Sequence, residues 1–331
     1  MDLIQDNGQP RYGRFQQLPS AISVANYVYQ NPYGKTLSGW RKRLKYKKFK
    51  FCSIQHAQYS IGLAVVDIAW AGHAFVYIYD HQTQKVQEFN AIHSLAHHTL
   101  VDEQPLFNHS HFVRSDFKLD IEHANGVRYI KIKRHGEIVL QARVFCASTA
   151  PLSMCSPTGI NGWTYTQKLT SLAVEGFFIN KQQQKIQFDA SSLASLDDTC
   201  GFLRTETAWF WLSSNYWDAQ HNRIGLNLAS GVNESFGNEN CLWVNGRLYP
   251  LADVVFERED DQTWQIRSLD QNVQLQVKTG WRRYENLNLR LVGSQFSQWQ
   301  SHISGWIETE DQGRIEFHQQ RGLLEQHYAK W

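Results

Sequence analysis

The sequence is short of the features that most quickly reveal a function. Its 331 residues carry 33 Lys and Arg against 31 Asp and Glu, so neither sign of charge is in excess. A net charge of +2 gives nucleic-acid binding no bulk electrostatic support, and no nucleic-acid partner is expected. No apolar run reaches the roughly 20 residues of a membrane span; the longest, around Ile61–Trp70, is interrupted by Asp67. The opening MDLIQDNGQPRYGRF lacks an apolar stretch behind a basic start, so no signal peptide is expected and the protein is read as cytoplasmic. The five cysteines, Cys52, Cys146, Cys155, Cys200 and Cys241, are odd in number, widely spaced and free of any C-x-x-C pair. That pattern excludes a disulfide framework and a structural zinc site and suits a reducing compartment. There is no G-x-S-x-G elbow, no G-x-x-x-x-G-K-[ST] phosphate loop and no G-x-G-x-x-G turn, which takes weight from common hydrolases, kinases and nicotinamide enzymes. No cofactor is expected.

What the chain does have is aromatic side chains: 12 Trp, 14 Tyr and 18 Phe, 13% of all residues. They favour strands and suit binding walls. With 42% apolar residues, 19% charged and only 7 Pro, the chain has the balance of a packed protein, and its length suits two domains.

Alternation with period two dominates from Lys45 onward, in segments such as FKFCSIQ, AFVYIYD, FKLDIE, RYIKIK, EIVLQARVF, AWFWL, CLWV, WQIR and VQLQVK. Turn dipeptides punctuate them at Asn125-Gly126, His135-Gly136, Asn161-Gly162, Asn245-Gly246 and Gln312-Gly313, predicting antiparallel hairpins. Helices are expected only at Ala91–His98 and Gly322–Trp331. An I-G-L strand leads into a Gly-containing connection and then an aromatic strand twice, from Ile61 and from Ile224. This echo predicts an all-β chain of two tandem antiparallel barrels, a plan that limits exposed strand edges. The expected division is an extension over 1–35, a first barrel over 36–172 and a second over 173–331, with the join near Ser171–Glu175.

Several clusters bear on chemistry. Arg41–Lys50 holds seven basic residues and no acid, interleaved with Leu44, Tyr46 and Phe49. It reads either as a first strand with a solvated basic face or as a docking segment for phosphate, single-stranded RNA or an anionic membrane surface. His93, His97, His98, His109 and His111 lie close in sequence, but no Cys accompanies them and no H-E-x-x-H occurs, so no metal is expected. Asp67 sits in an apolar run and needs a partner, water or a ligand. Asp197 and Asp198 precede a strand with Trp209 and Trp211 on one face. A carboxyl beside apolar walls has its neutral form favoured, so it can serve as a proton donor; a turn of acids before a core strand is the plainer reading.

The series Val66-Asp67-Ile68-Ala69-Trp70-Ala71-Gly72, Pro157-Thr158-Gly159, Trp163–Lys168, Gly225–Ala229, Glu239–Leu248 and Asn286-Leu287 resembles a bacterial family catalogued as a domain of unknown function. That family is distantly similar to the lipocalin-like proteins with two β-barrel domains, which include carotenoid hydratases and AttH-type proteins. The V-E-G of that pattern matches Val174-Glu175-Gly176, its Asp-x-x-x-Gly segment matches Asp197 to Gly201, and its W-x-W strand matches Trp209 and Trp211. The resemblance implies two lipocalin-like barrels. The chain departs from the hydratase pattern at Asp198 and Cys200.

The leading expectation is therefore a binder of an apolar or amphipathic small molecule, a lipid or isoprenoid-like compound, in an aromatic cavity. Asp67, Asn227 and Asn240 are the expected polar anchors, and Trp163, Tyr165, Trp209, Trp211 and Trp243 the walls. One alternative is a hydratase, cyclase or isomerase with Asp197 as general acid. The other is a non-catalytic interaction protein docking through Arg41–Lys50.

Overall fold

The computed structural model describes residues 1–233, 237–289 and 292–331 and divides the chain into two compact units, Met1–Leu203 and Arg204–Trp331. In the first, two residues of β1 (Gly13–Arg14), a 3-10 turn at Val24–Asn26 and α1 (Gly39–Arg43) precede a meander of β2 (Lys47–Gln55), β3 (Tyr59–Asp67), β4 (Ala71–Asp80) and β5 (Lys85–Ser94). Then follow β6 (Thr99–Leu100), β7 (Asn108–Arg114), β8 (Phe117–Ala124), β9 (Val127–Arg134), β10 (Glu137–Phe145), β11 (Leu152–Thr158), β12 (Gly162–Ile179), β13 (Lys185–Gln187) and β14 (Leu193–Gly201). The second unit has β15 (Glu206–Trp217), β16 (Arg223–Ser230), β17 (Cys241–Val244), β18 (Arg247–Pro250), β19 (Val254–Arg258), β20 (Thr263–Ser268), β21 (Val273–Leu289), β22 (Val292–Thr309) and β23 (Gly313–Lys330).

Each unit is one antiparallel sheet rolled into a lipocalin-like barrel. The first runs β5-β4-β3-β2-β14-β12-β10-β9-β8-β7-β6, the second β18-β17-β16-β15-β23-β22-β21-β20-β19. The two orders share one plan: a four-strand meander whose first strand pairs with the last strand of the unit, β2 with β14 and β15 with β23. The I-G-L echo falls at equivalent places, on β3 and β16. In each, the glycine stands directly opposite an aromatic residue, Gly62 opposite Tyr77 and Gly225 opposite Trp243. The Tyr77 ring lies so close over Gly62 that a Cβ there would come within 2.4 Å of it.

The boundary expected at 172/173 falls inside β12. Across a bulge, with Ser171 at φ 55°, that strand keeps its pairing with β14 as far as Ala173 and pairs with β10 from Val174, so it belongs wholly to the first barrel. All five turn dipeptides join antiparallel neighbours, and Asn125, His135 and Asn245 take the positive φ that such tight turns require. The two expected helices are absent. Ala91–Ser94 ends β5, and Gly322–Lys330 is strand, paired with β15 on one side and β22 on the other. Pairing on both edges overrides the local helical preference of that segment.

Each barrel has its own apolar core, Ile54, Leu63, Val76, Phe112, Leu119, Ile132 and Leu196 among the first, and Leu212, Leu226, Leu242, Ile266, Leu275, Ile303 and Leu324 among the second. A third cluster forms where Leu3, Ile4, Ile22, Tyr27 and Tyr46 of the N-terminal segment cover Cys155, Trp163, Tyr165 and Phe202. The five thiols are free and buried. Among the described residues, no helix is long and apolar enough to cross a membrane.

Candidate functional site

The inside of the first barrel is polar at one level. Register places Lys50, Asp198 and Gln167 side by side on β2, β14 and β12, and Arg128 reaches them from β9. Arg128 holds Asp198 through two bonds of 2.8 and 2.7 Å, and the Lys50 ammonium adds a third at 2.7 Å. Burial alone would raise the Asp198 carboxyl, but these two cations outweigh it and hold it well below the usual carboxylate range. Nearby, Asp67 pairs with Arg43 and lies 3.9 Å from Lys48, which bonds to Glu103 at 3.1 Å.

From Lys47 the basic segment is the first strand of the meander, as one reading expects, but these pairings take up much of its charge. Lys47 donates to the carbonyls of Leu44 and Ile68, and burial pushes its amine down to about 7. Lys42 caps the carbonyls of Val24 and Tyr27, while Arg43, Lys48 and Lys50 answer acids. The strand itself does not carry a solvated basic face, because the alternation of β2 turns Lys48 and Lys50 into the barrel, while Arg41 and Arg43 before it are exposed. The space remaining beside Lys50, Glu103, Tyr165, Gln167 and Asp198 is about 10 Å³, room for one water.

The second barrel is different. At the end where β15 begins and β16, β21 and β23 finish, an open cavity of about 500 Å³ lies above the core. Phe210, Trp299, Tyr284 and Tyr328 line it, together with Ser230, Gln295, Ser297 and Gln326, and Arg258 and Arg282 border it. Phe210 packs on Phe256 and Trp264 at ring separations of 5.6 and 5.5 Å, and Trp264 on Trp299 at 6.3 Å, forming a continuous aromatic floor. No carboxylate is among the described lining residues.

Of the residues expected from the sequence to bind ligand, Trp209 borders this cavity and the other seven lie elsewhere. Trp211 and Asn227 meet directly, indole Nε1 to Oδ1 at 2.7 Å, and Asn227 donates onward to the Glu239 carbonyl. Asn240 accepts from the Ala229 amide and donates to the Ala252 carbonyl, tying β16 to the start of β17 and the segment after β18. Trp243 is fully buried opposite Gly225. Trp163 and Tyr165 lie under the N-terminal segment, where Trp163 meets Tyr27 and Tyr46 at 5.8 and 6.0 Å. Asp67 is held by its cations. Asp197, the expected acid, accepts from Lys168 at 2.6 Å. Among the histidines, His93 stacks on Phe112 and bonds to the Val113 carbonyl; no group of His, Cys, Asp or Glu among the described residues is arranged to hold a metal. Sequence reasoning missed Arg282, Tyr284, Trp299 and Tyr328; the alternation Gln295, Ser297, Trp299 was the available signal.

The profile of DUF2804, a domain of unknown function, matches residues 21–331. The chain belongs to the DUF2804 family. The DUF2804 match therefore spans both barrels. No curated protein sequence matches the chain. Among solved structures, CghA covers 99% of this chain over 96% of its own length, with a TM-score of 0.54 at 7% identity, and shares the fold. Kievitone hydratase from Nectria haematococca matches at a TM-score of 0.48 and 11% identity, over 86% of this chain and 89% of its own. An AttH-type protein from Nitrosomonas europaea matches at 0.45 and 13%, over 90% and 98%.

Proposed function

We propose that the protein binds an apolar or amphipathic small molecule in the open end of its second barrel. The observation that carries this reading is the cavity of about 500 Å³ lined by Phe210 and Trp299, with Trp264 packed against both rings. That size lies in the usual range of small-molecule sites, about 300–1,000 Å³, and an aromatic wall with a few polar groups is their usual lining. Asp197 is outside the cavity and engaged by Lys168, which supports binding at this site over a hydratase or isomerase reaction with Asp197 as the acid. The five buried, free thiols suit the reducing cytoplasm.

The test is titration with a panel of fatty acids and isoprenoids, read by tryptophan fluorescence, on the unaltered chain and on Trp299→Ala. Saturable quenching or enhancement that Trp299→Ala weakens roughly tenfold or more supports the reading, on the scale of one buried aromatic contact. No saturable change across the panel, with nothing apolar co-purifying in native mass spectrometry, overturns it.

A further inference from the structure

The geometry points to an anionic head group on the ligand of the second barrel, placed at Arg282. This inference rests on the binding reading above and specifies the class of molecule bound: an amphipathic organic anion, with its apolar body inward and its carboxylate, sulfate or phosphate at the mouth.

The cavity is graded. Phe210 and Trp299, which line it and pack on the buried Trp264, are half-buried; Arg258, Arg282, Tyr284 and Tyr328 are exposed at its edge. An amphiphile entering such a site places its apolar part against the rings and its polar part at the edge, each in the medium it prefers. The sign of the polar part follows from the charges. Two guanidinium groups border the opening, and no carboxylate is among the described lining residues. Arg258 is partly answered, by the Asp260 carbonyl at 3.0 Å and the Asp261 carboxylate at 3.0 Å. Arg282 lies over the Tyr284 ring, its guanidinium carbon 4.5 Å from the centroid. Ring contact steadies a guanidinium while leaving its N–H fork directed outward, the geometry that takes two oxygens of one anion.

The neighbouring arginine shows the contrast. Arg283, one residue on and facing the other way, is buried, paired with Glu285 and packed on Phe296. In the first barrel Lys48, Lys50 and Arg128 likewise meet carboxylates of the chain itself. Among the described lining residues the two cations are joined by polar groups without a carboxylate, Ser230, Gln295, Ser297 and Gln326 among them, and Glu206, which accepts from the Tyr328 hydroxyl, is answered by Lys330 at 3.1 Å, so the mouth carries a positive potential with hydrogen-bonding groups around it. A neutral or cationic head would gain nothing from that potential.

The deciding experiment compares two probes of the same aromatic shape, anilinonaphthalene sulfonate and its uncharged counterpart N-phenylnaphthylamine, by fluorescence titration. The expected result is a preference for the sulfonate of roughly tenfold, the scale of one charge-assisted contact. Arg282→Gln should shrink that ratio toward one, while Trp299→Ala should weaken both probes together. Arg247→Gln, at an arginine paired with Asp311 outside the cavity, should leave the ratio unchanged. Displacement of the sulfonate by dodecanoate or by dodecyl phosphate, but not by dodecanol, then identifies the preferred head. Equal affinity for the two probes, or an equal fall in ratio with Arg247→Gln, overturns the anion inference and leaves the binding site standing. Failure of both probes to bind overturns the site itself.

Discussion

Asp197 and Asp198 are adjacent on β14 and direct their carboxylates to opposite faces of the same sheet, Asp197 to Lys168 of the neighbouring strand and Asp198 to Arg128 across the barrel. One position of difference decides whether the acid lies inside the barrel or outside it. The inside acid is shared by two enclosed cations, and the structural demand on it is correspondingly greater.

Asp198→Asn should therefore destabilise the first barrel by about 3–5 kcal/mol, because Arg128 and Lys50 are left buried without their counter-charge. Asp197→Asn, which releases one cation instead of two, should cost less. Urea denaturation of both variants checks the order; an Asp198→Asn protein as stable as the unaltered one would contradict it.

Acid should weaken both units. Burial, reinforced by the charges of Arg128 and Lys50 and opposed by Asp198, pushes His123 down to about 4; burial and Arg283 push His327 down to about 3. Both fall below the unfolded value of about 6.5, so the unfolded chain takes up the protons first. The stability they contribute is complete above about pH 6.5 and is lost as the pH falls toward 4, at about 1.4 kcal/mol per pH unit for each ring. Thermal unfolding between pH 7 and 4.5 measures the slope, and His123→Gln should flatten it.

Asn240→Ala removes two buried bonds, to the Ala229 amide and the Ala252 carbonyl, and should cost about 1–3 kcal/mol. Probe affinity at the second-barrel cavity should be unchanged once the variant is folded, since Asn240 is not among its lining residues. Loss of affinity without loss of stability would instead make Asn240 a ligand anchor.

Gly62→Ala drives a Cβ into the Tyr77 ring and should destabilise by about 1–3 kcal/mol through overpacking. If that contact is the cause, Gly62→Ala combined with Tyr77→Ala should cost less than the sum of the two alone. Additive costs in denaturant would place the origin elsewhere.

Much of the fold was legible because its signals are local. Asn125-Gly126 and Asn245-Gly246 announce their turns through backbone torsions that few residues adopt, and the I-G-L echo marks equivalent strands, each with an aromatic residue paired opposite its glycine. Gly322–Lys330 was misread because its state is set by partners distant in the chain, β15 above all. The same reason hid the cavity. Phe210, Arg282 and Trp299 come together only through the pairing of β15, β23, β22 and β21, which no short window of sequence contains. The basic segment looked like a surface because composition does not tell which face of β2 is enclosed.

In both units the last strand joins the two halves of the sheet, and this sets an order for a chain made from its N-terminus. The first unit has everything it needs once β14 has emerged, and can fold while the rest is still being translated. The second must wait for β23, leaving β15 and β22 with bare edges in the meantime. Such edges invite pairing with other chains. A ribosome stalled before Gly313 would thus release a finished first barrel carrying an aggregation-prone half.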